Sequence, residues 1–317
     1  MKYEKKDAKS HSRQTMRGIW AAALVPFKAD HTVDEGGVRR NYEHWISDLQ
    51  IDGFFVAGKQ GEFFSMSLEE RKRSFEIAVD ACAGRAQTIM SCSDQNMDVV
   101  IDLAKHAQRV GADYIVVHAP ILHFHHAQEQ TVYEYYRTIA EKVDIGIALW
   151  SHPDSGYLLS PQLCSQLADI ENIVAIKYSV PRPMYSELTR LAGDRILVST
   201  ASEAEWFDNI TELDWKLYLC SSPPYLLQTK NDLRMRKYTD LALAGKIDEA
   251  RAIRDSLEPV RRAFSKSRPL EKPHAHSKYW QELLGQTGGY VRRPLLELTP
   301  DERALTEQAF LASGLGR

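Results

Sequence analysis

The sequence predicts a (β/α)8 barrel followed by a C-terminal helical appendage, and three observations carry that prediction. Short β-branched or aromatic runs alternate with longer amphipathic ones; there are eight of each; and after Gly245 the strand-like runs stop. Parallel strands need a crossover long enough to hold a helix, so the alternation implies βα units. Eight such units in a chain of 317 residues suit a closed barrel better than an open sheet.

The predicted strands are 19–25, 53–57, 87–92, 114–118, 146–150, 173–177, 195–199 and 216–220. Between and after them, helices are predicted over 35–49, 68–83, 97–110, 129–143, 161–169, 183–192, 203–210 and 232–244. Ser67 ahead of Leu68, Glu69 and Glu70 has capping-box spacing, and Asp34 stands where the first helix needs its cap. Three further helices, 246–264, 277–284 and 300–312, follow without strands. The opening MKYEKKDAKSHSRQ is charged and leads into no apolar region, so 1–15 is expected to be a disordered arm, 16–245 the barrel and 246–317 helices packed on it.

Composition narrows the function. With 44% hydrophobic residues the chain can bury a large core, and a net charge of -3 with both signs interspersed leaves no footprint for nucleic acid. No apolar run reaches the ~18 residues of a membrane span. Cys82, Cys92, Cys164 and Cys220 are scattered, with no CxxC pair, which fits a reducing, cytoplasmic setting. The expected partner is a small molecule.

NIVAIKYS, residues 172–179, ends an apolar run in Lys177. In a (β/α)8 barrel the C-terminal strand ends form the active site, so Lys177 at the end of the sixth strand can point into it. Such a lysine either snorkels to solvent or acts as a Schiff-base nucleophile, its amine losing proton affinity as it loses water.

The order of GIWAAALVPF, GKQGE, SLEER, LWSHP, NIVAIKYS and LLGQTGGYVRRPLLELT from about Gly18 onward resembles the dihydrodipicolinate synthase and N-acetylneuraminate lyase family. These are class I aldolase-type barrels that form an imine between a strand-six lysine and a 2-oxo acid, usually pyruvate. The resemblance implies that Lys177 forms the imine, that no metal or organic cofactor is needed, and that the chain is a homo-oligomer, dimer or tetramer.

Departures from the family's pattern bear on the substrate. The usual GTTGE is GKQGE here, Gly58 to Glu62, and the acid/base tyrosine after the fifth strand is replaced in the run Trp150-Ser151-His152-Pro153. An indole N–H donates only and cannot shuttle a proton. No arginine stands near Asp154-Ser155-Gly156, where the carboxylate clamp of true dihydrodipicolinate synthases is expected. The expectation is therefore a Schiff-base lyase, aldolase or hydro-lyase, on pyruvate or a pyruvate-derived adduct with a bulky or aromatic partner, and not a dihydrodipicolinate synthase.

Lys59 can hold a substrate carboxylate or depress the proton affinity of Lys177, and Gln60 stands beside it. His118, His123, His125, His126 and His152 cluster at the ends of strands four and five without metal-ligand spacing, so no metal is expected. An imidazole titrating near neutrality can replace the lost phenol; His152 is the first choice and His123 the second. Trp150, Phe124 and Tyr178 suit a cavity lining, and Ser221, opening Ser221-Ser222-Pro223-Pro224, suits an imine carboxylate or simply a turn. Two other readings stay open: an imine-dependent decarboxylase using Lys59 and Lys177, and a non-catalytic ligand-binding barrel.

Overall fold

Strands form where the apolar runs lie: β1 (Gly18–Ala22), β2 (Gly53–Val56), β3 (Gln87–Ser91), β4 (Tyr114–His118), β5 (Gly146–Ser151), β6 (Ile173–Tyr178), β7 (Leu197–Ser199) and β8 (Leu217–Ser221). They form one sheet in the order β7-β6-β5-β4-β3-β2-β1-β8, the sequential order of a (β/α)8 barrel. The computed structural model describes residues 2–120, 128–155 and 157–315. The helices are α1 (Ala8–Thr15), α2 (Glu35–Ser47), α3 (Leu68–Cys82), α4 (Met97–Val110), α5 (Glu129–Lys142), α6 (Pro161–Leu167), α7 (Arg182–Ala192), α8 (Trp206–Leu213), α9 (Pro223–Leu226), α10 (Arg234–Leu243), α11 (Ile247–Ser256), α12 (Glu258–Lys266), α13 (Pro273–Leu283) and α14 (Pro300–Ser313). The expected capping box closes the start of α3, with the Ser67 hydroxyl accepting from Glu70 N and the Glu70 carboxylate accepting from Ser67 N. Two compact units divide the chain, one of residues 1–20 and 87–220, the other of 21–86 and 221–317.

In the first unit the parallel register sets His118 beside Trp150, Trp150 beside Lys177 and Lys177 beside Ser199. Two residues earlier, Val116, Ala148, Ala175 and Leu197 are aligned in the same way. Alternation puts both rows on one face of the sheet and Val117, Leu149, Ile176 and Val198 on the other. The Ser199 hydroxyl donates to Leu217 O and accepts from Leu219 N, so a side chain joins β7 to β8 next to Lys177.

Residues 2–15 are ordered, which corrects the expectation of a disordered arm there. Lys5, Lys9 and Arg13, at four-residue spacing, donate to Ala140 O, Ala168 O and Asp194 O, carbonyls at the C-terminal ends of α5, α6 and α7. Those carbonyls lack partners within their helices, and each cation placed there contributes about 0.3–1 kcal/mol. Tyr3 adds a fixed point, its hydroxyl donating to Asp113 O and accepting from Gly146 N. The charges that looked solvated are spent on helix ends far along the chain.

In the second unit, the helix predicted over 246–264 is two helices, α11 and α12, meeting at Leu257 because Pro259 cannot continue the first. A charged pair lies at the core: Lys278 Nζ of α13 is 2.5 Å from Glu62 Oε1, with the side chains 1% and 0% exposed. Glu62 Oε2 accepts from Arg292 N, and Lys278 also donates to Tyr290 O at 2.6 Å. The Phe27 ring receives both cations, Lys278 Nζ at 4.5 Å and the Arg292 guanidinium at 4.2 Å from its centroid.

Candidate active site

Lys177 is 2% exposed although it ends the sixth strand. Its Nζ lies 5.2 Å from the centroid of the Trp150 indole, the side chain aligned with it on β5. Cys220, at the end of β8 and wholly buried, feels the same charge: burial pushes its thiol up to about 11, and Lys177 pulls the other way. The indole face attracts a cation, so one side of the amine meets an electron-rich surface.

His118 meets the same indole. Its ring stands edge-on to Trp150 with centroids 5.0 Å apart, and the residue is 9% exposed. Its Nδ1 is 2.6 Å from Ala119 O; a carbonyl only accepts, so Nδ1 carries the proton and the lone pair is on Nε2. Burial lowers its proton affinity, against the Ala119 carbonyl and the Asp154 charge, which act to raise it. The imidazole is thus held neutral with a basic nitrogen. Sequence reasoning gave His118 no role of its own, but the signal was present: it ends an apolar strand, as Lys177 and Trp150 do within one residue.

His152, the expected acid/base, stands further out. Its ring centroid is 6.4 Å from that of Trp150, its side chain is 27% exposed, and its Nδ1 accepts from Asp154 N while lying 3.4 Å from the Asp154 carboxylate. Tyr178 departs from the expectation of a substrate contact. It follows Lys177 by one residue, so it faces the opposite side of β6, wholly buried, with its hydroxyl donating to Leu159 O. Burial raises its phenol well above the ordinary range. His123 and Phe124, with His125 and His126, lie outside the described residues. Trp20 and Trp206 are buried core residues.

Lys59 and Gln60 are half-buried in the loop after β2. Lys59 O accepts from Glu62 N and from His274 Nε2 of α13, at 3.0 and 2.9 Å. The Gln60 side-chain carbonyl is buried with no hydrogen-bond partner among the described residues. Ala57 and Glu62, either side of the loop's centre, both hold left-handed backbone at φ 49° and 58°. Non-glycine residues kept there cost about 1–3 kcal/mol each and persist where surrounding contacts over-determine them; the Glu62–Lys278 pair supplies such contacts. Gly58 admits no side chain, since a Cβ would fall 2.0 Å from the Phe55 ring. Ser221 ends β8, and the Ser221 to Pro224 stretch opens α9 rather than forming a plain turn.

A (β/α)8 barrel with a buried lysine near the end of its sixth strand has the fold of a class I aldolase-type lyase, and the comparisons with known proteins agree with that class. The chain belongs to the dihydrodipicolinate synthetase family, whose model matches residues 15–312. A 4-hydroxy-tetrahydrodipicolinate synthase of Methanothrix thermoacetophila is 29% identical over 294 residues, covering 91% of this chain and 94% of that one. The crystal structure of dihydrodipicolinate synthase from Aquifex aeolicus is 25% identical with a TM-score of 0.83, over 94% of this chain and 98% of that one. N-acetylneuraminate lyase from Fusobacterium nucleatum, 22% identical, shares the fold with a TM-score of 0.82 over 93% and 98% of the two chains.

Proposed function

We propose that this chain is a Schiff-base lyase in which the Lys177 amine condenses with the carbonyl of a 2-oxo acid, pyruvate or a pyruvate-derived adduct. The observation that carries the reading is the buried amine at the end of β6, set against the Trp150 indole. A buried amine is readily neutral, and a neutral amine can attack a carbonyl. The resulting protonated imine is an electron sink: it accepts the electron pair when a C–C bond at the adjacent carbon breaks, and returns it when one forms or when water is eliminated.

Lys59 is assigned to the substrate carboxylate, and Gln60 to a polar group beside it. The reaction partner is assigned as bulky or aromatic, because Trp150 stands where the family carries tyrosine and because GKQGE lacks both threonine hydroxyls of GTTGE. For the same reasons the synthase activity named for the Methanothrix relative is not our reading of this chain.

The test is borohydride trapping with a panel of 2-oxo acids, read by peptide mass. A reduced adduct on Lys177 is expected with at least one of them, and faster turnover with aromatic than with small aliphatic aldehydes. Folded protein that gives no adduct across the panel would make the chain a non-catalytic barrel.

A further inference from the structure

We infer that His118 is a catalytic residue of this reaction, moving a proton between Lys177 Nζ and the oxygen of the tetrahedral adduct. The inference rests on the Schiff-base reading of Lys177 and adds the group that the missing phenol leaves unassigned. Imine formation is faster with such a group, since positioned proton transfer contributes about 10²–10⁴-fold. When the Nζ lone pair makes the C–N bond, the carbonyl π pair moves to oxygen, giving an adduct with a protonated nitrogen and an alkoxide. Nε2 of His118 takes one proton from that nitrogen, and the imidazolium returns it to the alkoxide, giving the neutral carbinolamine with no net change in protons. The nitrogen lone pair then forms the C=N bond as hydroxide leaves, to be neutralised by solvent.

Three observations assign the step to His118. It is in register with Trp150 as Trp150 is with Lys177, so the three side chains share one row and one face. Both His118 and Lys177 contact the same indole, at 5.0 and 5.2 Å from its centroid, and the adduct oxygen is only two bonds from Nζ. The Ala119 carbonyl fixes the tautomer, which leaves Nε2 as the acceptor. His152 fits the step less well: it lies past the row, its ring is 6.4 Å from the indole rather than 5.0 Å, and its Nδ1 accepts from Asp154 N.

The experiment measures the rate at which the trappable Lys177 adduct forms with pyruvate, in the full-length protein. His118→Gln, close in shape, and His118→Ala should both form it about 10²-fold more slowly, with the final yield unchanged. Added imidazole should restore at least about tenfold in His118→Ala and do nothing for the parent, because general-base work can be returned by a diffusible base while packing cannot. His152→Gln should stay within about twofold of the parent. A parent-like rate in His118→Gln overturns the assignment, and so does a slow His118→Ala that imidazole does not restore. If His118→Ala does not fold, the His118→Gln rate decides alone. A parent that forms no adduct with any 2-oxo acid removes the reading of Lys177 and this step with it; a parent adduct with an unaffected His118→Gln removes only this step.

Discussion

Lys177 and Lys278 are buried to the same depth, 2% and 1% exposed, and each has a cation–π contact, with Trp150 at 5.2 Å and Phe27 at 4.5 Å. What separates them is their place in the fold. Lys278 faces Glu62 at 2.5 Å and also donates to a backbone carbonyl, so its charge is matched and its proton has a defined place. Burial still lowers its proton affinity, and Glu62 acts against that. Lys177 lies at a strand end against an indole, with a thiol that senses its charge. Depth of burial therefore does not mark a nucleophile. Lys278 lies in a core ion pair, whereas Lys177 lies at the C-terminal end of a barrel strand, where active sites of this fold form.

Substitutions can break the comparison at either lysine. The largest effect is expected from Lys177→Ala, which should abolish both the borohydride adduct and turnover while the thermal midpoint stays near the parent's; retained turnover would remove Lys177 from the mechanism. Glu62→Gln should destabilise by about 3–5 kcal/mol in urea unfolding, since it strands a buried ammonium. Replacing the pair together, Glu62→Leu with Lys278→Met, should recover most of that loss, and failure to recover would mean the pair contributes beyond charge matching.

Lys59→Ala should raise KM for the 2-oxo acid by about tenfold or more with kcat little changed, the effect of losing one charge-assisted contact of about 1.5–3 kcal/mol. An unchanged KM returns Lys59 to solvent. The smallest effect is expected at Trp150. Trp150→Leu withdraws a cation–π contact of about 0.5–2 kcal/mol, which favours the neutral amine, so the alkaline-going rise in adduct formation should move to lower pH by about 0.4–1.5 units. A limb that stays in place means the indole only fills space.

The sequence exposed one of these lysines and hid the other. Lys177 is legible because its strand is a local apolar run, and a charge at the end of one is conspicuous. Lys278 sits in HAHSKYWQ, where a lysine on an amphipathic helix reads as surface; its partner Glu62 is more than two hundred residues away, and no local pattern encodes that pairing. The barrel strands and their helices were readable from period alone, since their burial follows alternation. Tyr178 was misassigned for want of that same parity, which puts it on the face opposite Lys177. His118 needed the register between strands, because only alignment with Trp150 and Lys177 distinguishes it from a histidine that merely ends a strand.

The arm that anchors to α5, α6 and α7 has a consequence for synthesis. Arg13 waits for a carbonyl 181 residues downstream, and Lys9 for one 159 residues downstream. At about 5–20 residues per second, roughly ten to forty seconds separate the emergence of this arm from that of its last partner. Until the end of α7 is made Arg13 has no helix end to cap, so full docking of this arm waits on Asp194. Nascent chains halted before Asp194 should expose this segment to trypsin, and chains halted well beyond it should protect it.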